Sequence, residues 1–181
     1  MSDRLTKDDW LKRGLKTLAT DGAHALKVGP MAAQLKVSRG SFYWHFKHVA
    51  DFQSQVVHAW RQRSTDQVIG DLEAARNQPH RLRQLMKRAF DSKRDLERAI
   101  RSWATEDPAV ARIVAAVDTR RVAYIAKMLT AAGVESRKAS PRATFLYWAY
   151  LGQPLVTEPR HAAITASMLN EIGDLFESSK R

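Results

Sequence analysis

Residues 25–52 read ALKVGPMAAQLKVSRGSFYWHFKHVADF, and within them residues 38–46, SRGSFYWHF, set four aromatics and a histidine close behind Arg39 and Gly40. A buried core accepts the aromatics but not the neighbouring Arg-Gly-Ser, and a solvated helix face rarely carries Phe-Tyr-Trp in a row. A helix with two jobs resolves the conflict. Phe42 and Phe46 stand at i and i+4, share one face, and are expected to pack beside Met31, Leu35 and Val37. Arg39, Ser41, Tyr43 and Trp44 then occupy the other faces.

The flanking residues say where that helix sits. Gly29-Pro30 is a start signal, with glycine acceptable as N-cap and proline favoured at the first helical position. It predicts a short helix over residues 31–35. Lys36-Val37-Ser38 is the turn, and Ser38 is the expected N-cap of a helix over 39–45. Upstream, Leu11, Leu15, Leu18 and Ala19 fall at i, i+4, i+7 and i+8, an amphipathic helix over 6–20. Two short helices separated by a tight turn follow the helix-turn-helix plan, whose second helix enters the major groove.

Charge agrees with such a partner. Thirty Lys and Arg against nineteen Asp and Glu give +11 and a pI near 10.3, an excess that favours a polyanion, nucleic acid first and an anionic membrane surface second. There is no cysteine, hence no disulfide framework and no thiolate metal site. No apolar run approaches the ~18 residues of a membrane span, and the N-terminus lacks an apolar signal segment, so a cytoplasmic protein without a membrane partner is expected.

Beyond residue 48 the periodicity stays helical. Phe52, Val56 and Trp60 share a face on a helix running toward a break at 77–79. Two shorter helices lie within 81–105, a long one runs from Asp107-Pro108 to about Gly133, and two more cover 140–155 and 160–176. No useful stretch alternates with period two. The fold class is therefore all-α: a three-helix head on a larger helical bundle, about nine helices in total. A head over 1–50 buries little core alone and must lean on the helix that starts near Val49. Residues 51–181 form the body.

The second short helix carries suitable DNA chemistry. Arg39 has the planar fork that pairs with guanine O6 and N7, worth ~1–3 kcal/mol of discrimination. Gly40 lets the backbone approach closely. The Tyr43 hydroxyl can bond a phosphate, and Trp44 offers an apolar face to thymine methyls.

The segment 25–52 resembles the DNA-binding head of the TetR (tetracycline repressor) family. The matching features are Met31-Ala32, Val37-Ser38, Gly40-Ser41, Tyr43-Trp44-His45-Phe46 and Phe52. The resemblance implies an effector-responsive repressor, a homodimer on a near-palindromic double-stranded operator, with a small molecule in the body releasing DNA. It implies a DNA-facing set of Ser38, Arg39, Gly40, Ser41, Tyr43 and Trp44, with Lys47 on a phosphate. It also implies dimerisation through the last two helices, where Phe145, Leu146, Ala149, Tyr150, Ala163, Ile164, Ser167, Met168 and Leu175 mix small and large apolar residues. Three positions depart from the family pattern. Lys36 occupies the glycine of the turn, where a left-handed conformation costs ~1–2 kcal/mol. Val49 replaces the lysine opening the fourth helix, leaving backbone N–H groups, Lys47 or His48 to hold phosphate. Gly29 stands where relatives place a longer DNA-contacting side chain, which shifts base readout toward the third helix.

In the body, Trp103, Arg121, Tyr124, Phe145 and Trp148 are the candidate effector-pocket residues, since bundles host ligands between facing helices. Arg121 lies on an apolar stripe between Val117 and Ile125. Two readings stand: a structural ion pair with Asp118, or recognition of an anionic or polar effector. No cofactor is implied. Six scattered histidines, without HExxH, a nucleophile elbow or a phosphate-binding glycine loop, do not describe an enzyme. His45 and His48 lack a third metal ligand. The rival classes are a basic helical scaffold for acidic partners and a DNA-binding regulator without effector.

Overall fold

The computed structural model describes residues 5–77 and 80–178, and every regular element among them is helical. Gln78 and Pro79 of the expected break lie outside the described residues. The chain divides into two compact units: the first combines the chain up to Asp66 with Arg94–Ala116, the second combines Gln67–Lys93 with the chain from Val117 onward.

The first unit opens with α1 (Lys7–Asp21), started by a reciprocal cap in which the Thr6 side chain accepts from Asp9 N–H while the Asp9 carboxylate accepts from Thr6 N–H. Its buried face holds Trp10, Gly14, Leu15, Thr17 and Leu18, whereas Leu11 is only half-buried. The helix is thus rotated from the stripe expected through Leu11 and Ala19. Gly14 is the cause: a Cβ there would lie 2.7 Å from both Phe52 Cζ and Val56 Cγ2. The missing side chain lets α4 (Val49–Arg61) lie directly on α1. This is the support the head was expected to need. α1 also packs on α7 (Asp95–Glu106), where Ile100 and Trp103 are buried.

Two short helices follow a 3₁₀ turn at Ala23–Ala25: α2 (Val28–Gln34) and α3 (Arg39–Tyr43). α2 begins earlier than expected. Lys27 is its N-cap, without a side-chain hydrogen bond, and Gly29 lies inside the helix. α4 passes through a widened π-helical turn at Gln62–Asp66 into α5 (Gln67–Ala74), so the long helix expected after residue 48 is present but not uniform.

The second unit is built from α5, α6 (Arg81–Asp91), the later part of α8 (Pro108–Ala131), α9 (Ser136–Gly152), α10 (Pro159–Ala162) and α11 (Ala166–Glu177). Leu72, Leu82, Met86, Ile125, Leu129, Ala143, Leu146 and Leu169 form its core. The helix expected over 160–176 is two pieces. The Thr165 side chain accepts Met168 N–H at 3.2 Å and restarts the chain as α11. α11 lies on α6, where Arg83 crosses Gly173 and pairs with Asp174.

Candidate nucleic-acid interface

The turn between α2 and α3 is a Schellman motif: Val37 N–H donates to Ala32 O at 3.0 Å and Lys36 N–H to Ala33 O at 3.1 Å. It requires a left-handed residue at Lys36, and Lys36 has φ +57°. The unusual lysine therefore accepts the strain rather than changing the turn. Ser38 has the extended backbone of an N-cap, but its side chain makes no capping hydrogen bond.

α3 ends at Tyr43, yet the chain keeps turning, with Phe46 N–H donating to Phe42 O at 3.1 Å. The i, i+4 relation of the two phenylalanines survives. Phe42 and Phe46 are 0% and 2% exposed, and Phe42 meets Trp10 and Phe52 edge-on at 5.3 and 5.4 Å between ring centres. Each such pair adds ~0.5–1.5 kcal/mol beyond its buried area. Met31 is fully buried beside them, Leu35 and Val37 half-buried. On the same five-residue helix and the residue after it, Tyr43 is 60% and Trp44 76% exposed. Arg39, Gly40 and Ser38 are exposed as well, and Ser41 is half-buried.

His45 has a separate task. Its Nε2–H donates to Leu5 O at 3.0 Å, tying the segment after α3 to the residue before the α1 cap. Nothing in local periodicity announces a bond across forty residues.

The start of α4 is occupied by its own cap. Lys47 N–H donates to Asp51 Oδ2 at 2.9 Å, and Asp51 N–H donates to His48 Nδ1 at 3.1 Å. A hydrogen bond from Gln55, reinforced by the Lys47 N–H, holds the Asp51 carboxyl below its ordinary range. The Asp51 carboxylate thus takes the Lys47 N–H, and His48 Nδ1 takes that of Asp51. The Lys47 side chain remains exposed. Residues 1–50 contain nine Lys and Arg against four Asp and Glu, so about a quarter of the chain holds nearly half of its positive excess.

The fold recurs in a solved structure. The crystal structure of SCO7518, a proposed transcriptional regulator from Streptomyces coelicolor A3(2), superposes with a TM-score of 0.67 over 95% of this chain and 98% of that one, at 13% sequence identity. At that identity the likeness is one of fold. No family model matches the sequence, and no curated protein matches it.

The body residues expected around a pocket are dispersed. Trp103 is buried in the first unit; Tyr124 is buried in the second; Phe145 and Trp148 are 60% and 65% exposed. Within the second unit α8 and α9 flank an open cleft of about 490 Å³, bordered by Asp118, Thr119, Val122, Ala123, Ser140, Tyr147, Trp148 and Leu151. Of the five expected residues, Trp148 borders it. Tyr147, outside the expected pocket set, is the organising group: its hydroxyl donates to Asp118 Oδ1 at 2.6 Å and accepts from Arg121 Nη1 at 3.4 Å. The Arg121 guanidinium also lies 5.9 Å from the Tyr150 ring centre. Asp118 and Arg121 therefore share one network through Tyr147.

Tyr124 belongs to a different cluster. It accepts from Arg81 Nη2 at 2.8 Å and donates to Glu73, which Arg81 and Lys127 also contact at 2.9 and 3.3 Å. Tyr124's hydroxyl, then Arg81 and Lys127, draw the Glu73 carboxyl down to about 2; burial, then the bond to Glu73, pushes Tyr124 up to about 12.

Of the residues expected at a dimer seam, Ala149, Ser167, Met168 and Leu175 are exposed, Tyr150 and Ile164 are half-buried, and Leu146 faces its own core. Phe145 stacks on Phe176 at 5.9 Å yet stays largely exposed, and it shares its face of α9 with Trp148. Among the described residues no helix is long and apolar enough to cross a membrane, and no group of three His, Cys, Asp or Glu is placed to hold a metal ion.

Proposed function

We propose that the protein is a TetR-type transcriptional repressor: a homodimer that binds a near-palindromic double-stranded operator and leaves it when a small molecule binds the body. One observation carries the reading. A five-residue helix after a tight left-handed turn buries Phe42 completely while presenting Arg39, Tyr43 and Trp44 to solvent. Exposed large aromatics beside cations serve a partner with both phosphates and base edges. In this reading the helices within 1–50 read DNA, with Ser38, Gly40, Ser41 and Lys47 beside Arg39 and Tyr43, while dimerisation and effector binding fall to 51–181, of which 51–66 and 94–116 pack in the same unit as the head. The fold shared with a proposed regulator supports this reading. In this reading the effector would sit in the open α8–α9 cleft, beside the Asp118–Tyr147–Arg121 network. The exposed apolar face of α9 and α11 supports the homodimer. The reading is of a binding protein acting in the cytoplasm, not of an enzyme.

Selection of binders from random double-stranded DNA at two salt concentrations tests it. A specific regulator weakens with salt but keeps a ~10³–10⁷ preference for its site. Arg39→Ala should cost ~1–3 kcal/mol and relax one base position per half-site, and Tyr43→Ala should weaken all sites. Enrichment of no sequence, with binding lost uniformly in salt, would instead identify a basic scaffold.

A further inference from the structure

Arg39 does not extend freely from the start of α3. A Cβ placed on Gly29 would lie 3.0 Å from Arg39 Nη2 and 3.4 Å from both Cζ and Nε, so the guanidinium rests in the space that a side chain at position 29 would fill. Three of its atoms face the same backbone position, so the group lies against α2 rather than touching it at one tip. Gly29 lies in the first turn of α2. Its absent side chain is what allows the contact.

We infer that Gly29 is a specificity-determining positioning residue: it seats the Arg39 guanidinium on α2 and so fixes which base edge Arg39 reaches. The inference rests on the proposed DNA-reading role of the head. A guanidinium already held in place loses less side-chain freedom on docking to guanine than a mobile one. Filling the seat frees or redirects the fork. At 3.0 to 3.4 Å, alanine requires Arg39 to yield by a few tenths of an ångström, which the end of a flexible chain can do. Leucine evicts it. The effect is therefore graded, and it passes entirely through Arg39.

A second consequence of glycine here must be separated from the first. Gly29 precedes Pro30, and a Cβ before proline disfavours helical backbone. That strain would act on α2 whether or not Arg39 is present.

The experiment is selection from random double-stranded DNA with the intact protein, comparing wild type, Gly29→Ala, Gly29→Leu, Arg39→Ala and Gly29→Leu/Arg39→Ala, with the Tm of each. We expect Gly29→Leu to lower the preference at the base position that Arg39→Ala relaxes, and only there, by about 3- to 10-fold. Gly29→Ala should fall between Gly29→Leu and wild type. In the Arg39→Ala background, Gly29→Leu should leave base preference unchanged. Losses that persist undiminished in that background, or fall on other base positions, overturn the inference and leave α2 strain or direct contact as the cause. An unchanged preference in both Gly29 variants overturns it too. If Gly29→Leu lowers the Tm enough to reduce the folded fraction, the Gly29→Ala comparison with and without Arg39 decides alone. A wild type that enriches no sequence overturns the repressor reading itself. A wild type whose selected site is indifferent to Arg39→Ala keeps that reading and sinks only this inference.

Discussion

Lys36 and Gly133 end two helices with the same hydrogen-bond pattern. Gly133 adopts φ +94°, with its N–H donating to Thr130 O and Val134 N–H to Leu129 O, both at 3.0 Å. Lys36 does the same with a side chain that the left-handed region penalises. Lys36→Gly should stabilise the protein by ~0.5–1 kcal/mol, the relief of strain offset in part by a freer unfolded chain. Urea unfolding checks this; an unchanged or lowered midpoint would show that the Lys36 side chain compensates elsewhere. The lysine's departure from the glycine of related turns was readable in sequence. Its conformation was not, because either a strained turn or another geometry satisfied the local pattern. Gly29 and His45 were also visible as letters, but their partners Arg39 and Leu5 are set by packing between elements.

Helices entered this chain by two kinds of signal, and the two were not equally legible. The cores of α4, α7 and α8 followed apolar periodicity and stand where it placed them. Ends followed caps, and caps compete. Gly29-Pro30 looked like a start, yet α2 begins at Val28, and a threonine at 165 restarts a helix whose apolar pattern ran through it. At α4 the cap is a histidine: His48 Nδ1 accepts Asp51 N–H while Asp51 returns a bond to Lys47 N–H. His48→Ala should remove it and lower stability by ~0.5–2 kcal/mol, whereas His48→Ser, another acceptor, should retain most of it. Denaturant midpoints of the pair check this. Equal losses in both would mean that the histidine matters for packing instead of capping. Since α4 supports α1 and the head's aromatic cluster, hydrogen exchange at Phe46 and Phe52 should quicken in the alanine variant.

For the whole molecule, acid and assembly are the informative conditions. Glu73 titrates below its ordinary value in the folded protein, so its ionised form stabilises the fold above pH 4.5; that contribution is lost as pH falls from 4.5 toward about 2. The stability gap between wild type and Glu73→Gln should thus be constant near neutrality and shrink across that window. A gap independent of pH would mean that the Tyr124–Arg81–Lys127 cluster does not depend on the charge. For the proposed homodimer, Trp148→Asp with Leu175→Asp places charge on the exposed apolar faces of α9 and α11. Sedimentation at micromolar concentration should shift from dimer to monomer while helicity by circular dichroism is retained. A persistent dimer would move the seam elsewhere.

The sequence by itself determined the all-helical class, the helix-turn-helix order and the two-faced character of SRGSFYWHF, because each depends on spacing within a few residues. Phe42 and Phe46 must share a face wherever the chain turns helically. The tertiary structure alone decided which face of α1 is buried, through the close approach at Gly14. It likewise left Trp148 largely exposed at the border of the α8–α9 cleft, gathered Asp118, Tyr147 and Arg121 into one network, and seated Arg39 on Gly29. Those outcomes depend on which helices meet and at what distance. Residues ten to forty positions apart carry no periodic signal of their meeting.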